Sequence, residues 1–353
     1  MFRVALLIIS ILGFQAAPLN AAPPMDAGTK TEMIGDPIAL DVVPSSITLD
    51  GPRASQQLLV TARYADGSLR DLTRFSVFHL AESGLLSVSD AGLVTGRRGG
   101  AMDLEVQVGE QRVRVPVTIR NADAAQPISF RREVMPVLSA AGCSDIRCHG
   151  APSGKNGFRL SLWGSDPDLD YVQLTRDGFG RRTNAFSPSH SLLLMKPLTH
   201  VAHAGGKRFA YNSHFYKLLR DWQREGLRDD SQAGGLKSLE IVPAQRVLHA
   251  PARWQQLAVR AIYDDGRTAD VTRLTAFSST DLAVAHVDRS GLVEFNRQGE
   301  VAILCRFLGK MTSVRLLHIA PPADDYRWPD PPQNNYVDTH VFAKLKLLHI
   351  APS

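Results

Sequence analysis

Two cysteines and a histidine stand together in Gly142-Cys143-Ser144-Asp145-Ile146-Arg147-Cys148-His149-Gly150, in a chain with only three cysteines. Two thiols followed at once by an imidazole are what covalent attachment of a c-type haem requires: thioether bonds at the ring edge and a proximal nitrogen for the iron. The gap here, Ser144 to Arg147, is wider than the usual Cys-x-x-Cys-His, so the extra residues must bulge out as a small loop. Three other readings compete at the same residues. A Cys143–Cys148 disulfide suits an oxidising compartment but leaves His149 without a role. A zinc site needs a full set of converging ligands, and neighbours such as Cys148 and His149 rarely turn toward one ion. The last reading is coincidence.

An iron held by His149 from one side asks for a ligand on the other, and the downstream candidates are His190, Met195, His200, His203 and His214. His203 lies in Val201-Ala-His-Ala-Gly205-Gly206, where two glycines let the backbone approach a flat ligand closely. Met195, in Leu192-Leu-Leu-Met195, has the setting of an ordinary core methionine. His203 is therefore the expected distal ligand and Met195 the runner-up, with a vacant or water-filled position as the third option. His190, His200 and His214 read as surface or capping residues. A pair of imidazoles gives a lower potential than a His/Met pair, and filled axial positions favour one-electron transfer over substrate chemistry.

The elements that must position these residues read as helices. Phe130, Val134, Val137, Leu138 and Ala141 share one helical face leading into Cys143, with Ser129 as N-cap and Gly142 as stop; Pro136 must kink or restart that helix. Asp166-Pro167 opens a middle helix, Ser191 to Met195 forms a short helical turn ended by Pro197, and Phe215, Leu218, Leu219 and Trp222 form a last stripe between Ser213 and Gly226. Phe158, Trp163 and Trp222 are expected in a haem wall or in the core.

Outside this segment the period changes to two. Gln56-Gln57-Leu58, Tyr64-Ala-Asp66-Gly67, Asp71-Leu-Thr73-Arg74 and Gly92-Leu93-Val94 recur 199 positions later as Gln255-Gln256-Leu257, Tyr263-Asp-Asp265-Gly266, Asp270-Val-Thr272-Arg273 and Gly291-Leu292-Val293. A gapless offset of this kind is an internal repeat. Short alternating runs bounded by Asp-Gly turns predict a β-sandwich in each copy. Asp66, Asp71, Asp265 and Asp270 could be offered as calcium ligands, but turn capping explains them with fewer assumptions. Cys305 replaces Val106 of the first copy and reads as a small buried hydrophobe.

Arg3, the apolar run Val4 to Phe14 and the small residues ending at Ala22 read as a secretory signal peptide, with an uncleaved anchor as the minor alternative. Export places the chain where disulfides form and haem c is attached. With 44% hydrophobic residues in 353, the chain can bury cores for two or three domains. The formal charge of +5 is small and dispersed, which excludes a nucleic-acid footprint; basic pairs such as Arg181-Arg182 are solvated turn charges or a rim that steers an acidic partner.

The two repeats resemble bacterial Ig-like domains of the group 2 type, on the Tyr-x-Asp-Gly, Asp-x-Thr and Gly-Leu-Val elements quoted above. Residues 126–230 resemble the cytochrome-c-like domain of large secreted planctomycete-type proteins, where such a domain lies among Ig-like domains and precedes long domains of uncharacterised function. That resemblance rests on Gly142-Cys143-x4-Cys148-His149-Gly150, Gly154-Lys-Asn-Gly157-Phe158-Arg-Leu-Ser-Leu162, Gly180-Arg181-Arg182, Ser191-Leu-Leu-Leu194, His203-x-Gly205-Gly206 and Leu218-Leu-Arg-Asp-Trp222. In the family the wide thiol gap is common. Relatives carry Met-Pro-Pro-Gly near the place of Ala202-His203-Ala204-Gly205, which implies that His203 inherits the distal side. The tail from Asn335 resembles the opening of the next family domain, so the chain reads as truncated there, and any enzymatic activity of that part would be missing.

The expected architecture is multidomain, with two all-β Ig-like sandwiches (38–121 and 236–321) flanking a mainly α cytochrome-c-like domain (126–230), after a signal peptide (1–22) and before a linker and truncated domain (322–353). The expected function is that of an exported, periplasmic or cell-surface electron carrier. Covalent haem c would be held by Cys143, Cys148, His149 and His203, and would serve an unknown redox partner protein. The alternative is a cell-surface adhesion protein with a Cys143–Cys148 disulfide, no haem, and Ig-like domains contacting the surface or matrix.

Overall fold

The computed structural model describes residues 27–353 except 83 and 321–324. The expected signal peptide lies outside the described residues. Among the described residues no helix is long and apolar enough to cross a membrane.

Each copy of the repeat builds three small sheets around one core. In the first, a four-stranded sheet runs Ile47–Asp50, Gln111–Arg120, Gly100–Val108, Val77–Leu80, its first pair parallel and the others antiparallel. A second sheet contains Ala39–Val43, Leu59–Arg63 and Leu69–Asp71, and a third Ser55–Gln57, Leu93–Gly96 and Leu86–Val88. The second copy repeats this strand order, with Gln245–His249, Lys310–Ile319, Gly299–Phe307 and Ala276–Ser279 in its large sheet. Alternation makes each strand two-faced: Val115, Val117 and Ile119 point into the core while Arg114, Pro116 and Arg120 face water. Leu104, Val106 and Val60 are fully buried beside them, each such side chain contributing about 1.5–3 kcal/mol over its exposed state. Cys305 occupies the Val106 position in the second core, fully buried, and burial pushes its thiol up to about 12.

The copies dock through a reciprocal exchange. Asp71 Oδ1 accepts the Thr73 N–H at 2.9 Å, as the turn-cap reading expects. Its Oδ2 reaches into the other copy and accepts the Gln256 N–H and Gln255 Nε2, both at 2.8 Å. Asp270 does the same in return: Oδ1 takes the Thr272 N–H, and Oδ2 takes the Gln57 N–H and Gln56 Nε2, all at 2.9 Å. Since the donor and acceptor positions in one copy match those in the other, the seam is self-complementary, as in a two-fold dimer.

The mainly α domain expected between the sandwiches is corrected. Residues 126–230 hold a wide five-residue turn, Phe130–Val134, and helices of only 6, 9, 4 and 11 residues: Met135–Ala140, Pro167–Thr175, Leu192–Met195 and His214–Arg224. The molecule as a whole is built of β-sandwich-like sheets. Pro136, Pro167, Pro188 and Pro197 each forbid a helix from continuing through them, and Gly142, Gly154, Gly157, Gly164, Gly178 and Gly180 turn the chain with positive φ. Pro136 restarts the helix at Met135 instead of kinking a longer one. The expected N-caps do form: Ser129 accepts from Arg132 N, Asp166 from Leu169 N and Ser213 from Tyr216 N. Around Phe130 the segment packs its own core, with Tyr171 at 5.2 Å and Trp222 at 5.3 Å between ring centroids.

Two arginines latch this segment to both sandwiches. Arg53 of the first copy pairs with Glu133 at 2.7 Å and donates to Gln126 O at 2.9 Å. Arg132 pairs with Asp265 of the second copy at 2.8 Å while lying over the Tyr263 ring at 4.3 Å.

Burial pushes the Asp71 carboxyl up to about 6, against the pull of its hydrogen bonds from Thr73 and Gln256 and of the Arg246 charge. A raised folded pKa adds stability that is fully present below the unfolded value of ~3.9 and lost as pH rises through about 6. The unfolding free energy of the wild type minus that of Asp71→Asn is expected to fall by about 2 kcal/mol between pH 4 and pH 7 in urea titrations. A flat difference would mean that Asp71 is hydrated and the seam open in solution.

Candidate functional site

The Cys143–His149 stretch is a compact turn closed by its own backbone. Cys143 N–H donates to Leu138 O at 2.8 Å, ending the Met135–Ala140 helix. Cys148 N–H and Gly150 N–H both return to Asp145 O, at 2.9 and 3.0 Å, and His149 N–H to Cys143 O at 3.0 Å. The extra residues between the thiols do form a small loop, tied by Asp145 Oδ1, which accepts the Arg147 N–H at 2.8 Å. Gly150 packs so tightly against this loop that a Cβ there would lie 2.1 Å from Ser144 O.

Cys143, Cys148, His149 and His203 line one cavity of about 290 Å³ with Leu138, Phe158, Leu193, Arg181, Arg182 and Arg208. Met195, the runner-up ligand, is not among its lining residues. His149 Nδ1 faces Phe158 O at 3.0 Å, and the Phe158 ring lies against the imidazole at 4.4 Å between centroids. Burial, and then the nearby charges of His203 and Lys155, lower the His149 pKa against the raising effect of the Phe158 hydrogen bond, so the ring is neutral at pH 7. His203 Nδ1 faces Gly206 O at 2.9 Å. Arg208 donates through Nε to Ala141 O at 2.7 Å, fixing the loop that carries His203 to the end of the Met135–Ala140 helix. Burial pushes the Cys143 thiol up to about 11, against the opposing charge of Arg208.

The expected covalent haem c, with its iron and electron-transfer role, is corrected here. Among the described residues no group of three or more His, Cys, Asp or Glu side chains could hold a metal ion. The cavity, at about 290 Å³, lies at the lower edge of ordinary small-ligand pockets, ~300–1,000 Å³. The reason is packing. Trp222 is fully buried against Phe130 and ties its Nε1–H to Arg228 O at 2.9 Å, so it is not left to wall a macrocycle; Phe158 lines the cavity but packs its ring on His149. Trp163 lies under the Arg306 guanidinium at 5.0 Å, facing the second sandwich.

His190 and His200 are exposed, as expected. His214 is more enclosed than a surface cap: it opens the His214–Arg224 helix, and burial, then Arg273 and Arg53, push its pKa down to about 3. Sequence reasoning missed that it sits where both sandwiches and the central segment meet. It also missed the seam, whose signal was the retention of Gln-Gln together with Asp-x-Thr at one offset.

Gly150→Ala is expected to cost about 1–3 kcal/mol in urea unfolding and to speed alkylation of Cys148, because the new methyl group must push the Ser144 carbonyl aside and open the turn. Unchanged stability and thiol reactivity would show that the turn is looser than described.

No protein-family model matches this chain, and no curated protein matches it. Among solved structures it is similar to domains 5–6 of the S-layer protein SbsC, at 12% identity over 80% of this chain and 99% of that one, with a TM-score of 0.29. Domains 4–9 of the same surface layer protein give 11% identity over 80% of this chain and 32% of that one, with a TM-score of 0.30. Extracellular domains 3–5 of Drosophila OTK give 7% identity over 80% and 62%, with a TM-score of 0.17. None of the three superposes closely enough to speak for this chain's role.

Proposed function

We propose that this chain is an exported interaction protein of the cell surface, whose paired Ig-like sandwiches bind protein or polysaccharide and whose Cys143 and Cys148 close a disulfide. The reading is carried by the reciprocal Asp–Gln seam: carboxylates whose second oxygens are satisfied across the two copies hold the sandwiches as one body. A rigid tandem loses little conformational entropy when it binds, which is what a binding scaffold needs. The latches Arg53–Glu133 and Arg132–Asp265 extend that rigidity through the central segment.

Export rests on the Arg3, Val4-to-Phe14 and Ala22 pattern of the leader. The disulfide is supported by the two cysteines, both free thiols in this structure, lining one cavity. A thiol held near 11 is a poor nucleophile at neutral pH, so Cys143 is not the attacking group when the bond forms.

Protein exported to an oxidising compartment should show a mass two hydrogens below the reduced chain, and only Cys305 should be free to alkylate after unfolding without reductant. The same material should be retained on washed cell envelopes, with retention lost when Asp71→Ala and Asp270→Ala are combined. Thiols that alkylate freely at Cys143 and Cys148 would remove the disulfide, and wild-type protein that passes envelopes unretained would end the surface-binding reading.

A further inference from the structure

Two phenylalanines, Phe179 and Phe186, are fully exposed on one segment of the chain. Neither is loosely held. Phe179 sits at φ 60° and ψ 30° between Gly178 and Gly180, which are also left-handed; for a bulky side chain this conformation is strained and persists only where its surroundings impose it. Arg182 imposes it. Its nearly buried guanidinium donates to Gln173 O at 2.6 Å, Asp177 O at 2.8 Å, Asp177 Oδ2 at 2.9 Å and Gly157 O at 2.7 Å, and it stacks on Phe158 at 4.5 Å. The turn bearing Phe186 is braced by Asn184, whose N–H donates to the fully buried Gln223 side chain at 3.0 Å and whose Oδ1 accepts from Ser187 N at 2.8 Å.

The electrostatics around these rings are one-sided. From Gly178 to Arg220 the sequence has no aspartate or glutamate and seven lysines and arginines. Asp177, just before it, is taken up by Arg182. Exposed Arg176 and Arg181 flank Phe179 and form no ion pair among the described residues, and Arg181 shares the cavity rim with Lys155, Lys196 and Arg208.

We propose that Phe179 and Phe186, with Arg176 and Arg181, dock the exported chain on an anionic phospholipid surface. Each ring stands on its own turn, Phe179 at Gly178–Gly180 and Phe186 on the turn braced by Asn184. A protein partner would need two matching pockets at a fixed spacing, whereas a bilayer interface accepts aromatic tips wherever they project. Unpaired arginines beside those tips supply the attraction to anionic headgroups, so that insertion of the rings and charge act together. The strain at Phe179 then has a use: it keeps a ring in water that a relaxed loop would fold back onto the protein.

The test is co-sedimentation of the full chain with vesicles of phosphatidylcholine alone and of phosphatidylcholine with phosphatidylglycerol. The wild type should pellet with the anionic vesicles, less so as salt rises, and little with the neutral ones. Phe179→Asn with Phe186→Ser should weaken that binding about tenfold or more. Asparagine tolerates left-handed backbone, so the thermal midpoint should hold or rise and folding is not at issue. Arg176→Gln with Arg181→Gln should erase the preference for anionic lipid. A wild-type chain that ignores both vesicle types overturns the proposal and assigns the rings to a protein partner; binding undiminished in the phenylalanine variant also overturns it.

Discussion

A carboxylate removed from water must find donors, and in this molecule two of them find the donors for one of their oxygens in the other copy of the repeat. Asp71 and Asp270 each satisfy one oxygen within their own Asp-x-Thr turn and the second on a backbone N–H and a glutamine side chain across the seam. Neither sandwich is therefore complete alone. Leaving such a carboxylate buried without its partners costs on the order of 3–5 kcal/mol, so docking and folding of the copies are coupled. Arg246 and Arg273 add positive charge near the two carboxylates while suffering lowered pKa values themselves from burial, which marks the seam as a dry polar layer.

The pairing is symmetric in its hydrogen bonds and asymmetric in its packing, and the central segment explains the difference. Phe75 meets Trp254 across the seam at 6.0 Å. The positions related to these by the repeat are Leu274 and Ser55, too small to make the same contact. Leu274 instead packs against the core of the central segment. Where residues 126–230 lie on the pair, a leucine suffices; where they do not, an aromatic pair fills the seam. His214 stands at that junction as a neutral ring between Arg53 and Arg273, a place where an imidazolium would face two guanidiniums at once.

Much of the fold was legible because the signals were local or periodic. The offset of 199 gave both sandwiches, alternation gave their inward faces, and Ser129, Asp166 and Ser213 announced helix starts. The grouping of Cys143, Cys148, His149 and His203 in one cavity was also legible, since it followed from spacing and from a glycine-rich loop. The haem and the helical domain to clamp it were expectations of another kind. They left Phe158 and Trp222 open between a haem wall and the core, and tertiary packing settles the choice: Phe158 lies on His149, Trp222 on Phe130 and a backbone carbonyl. The seam was hidden because Asp-x-Thr is fully explained as a turn cap at the level of sequence, and the donors to its free oxygen stand in the other copy of the repeat.

The same division between local cause and distant partner accounts for how a strained surface can coexist with a tight interior. Trp163 and Phe179 both hold left-handed backbone, yet they meet different fates. Trp163 lies beneath Arg306 of the second sandwich, so its conformation is fixed by a contact already made within the chain. Phe179 has its turn fixed from below by Arg182, while its side chain is fully exposed. Strain held by an internal contact is a feature of packing; strain held in place while the ring stays in water is a feature whose counterpart lies outside the molecule.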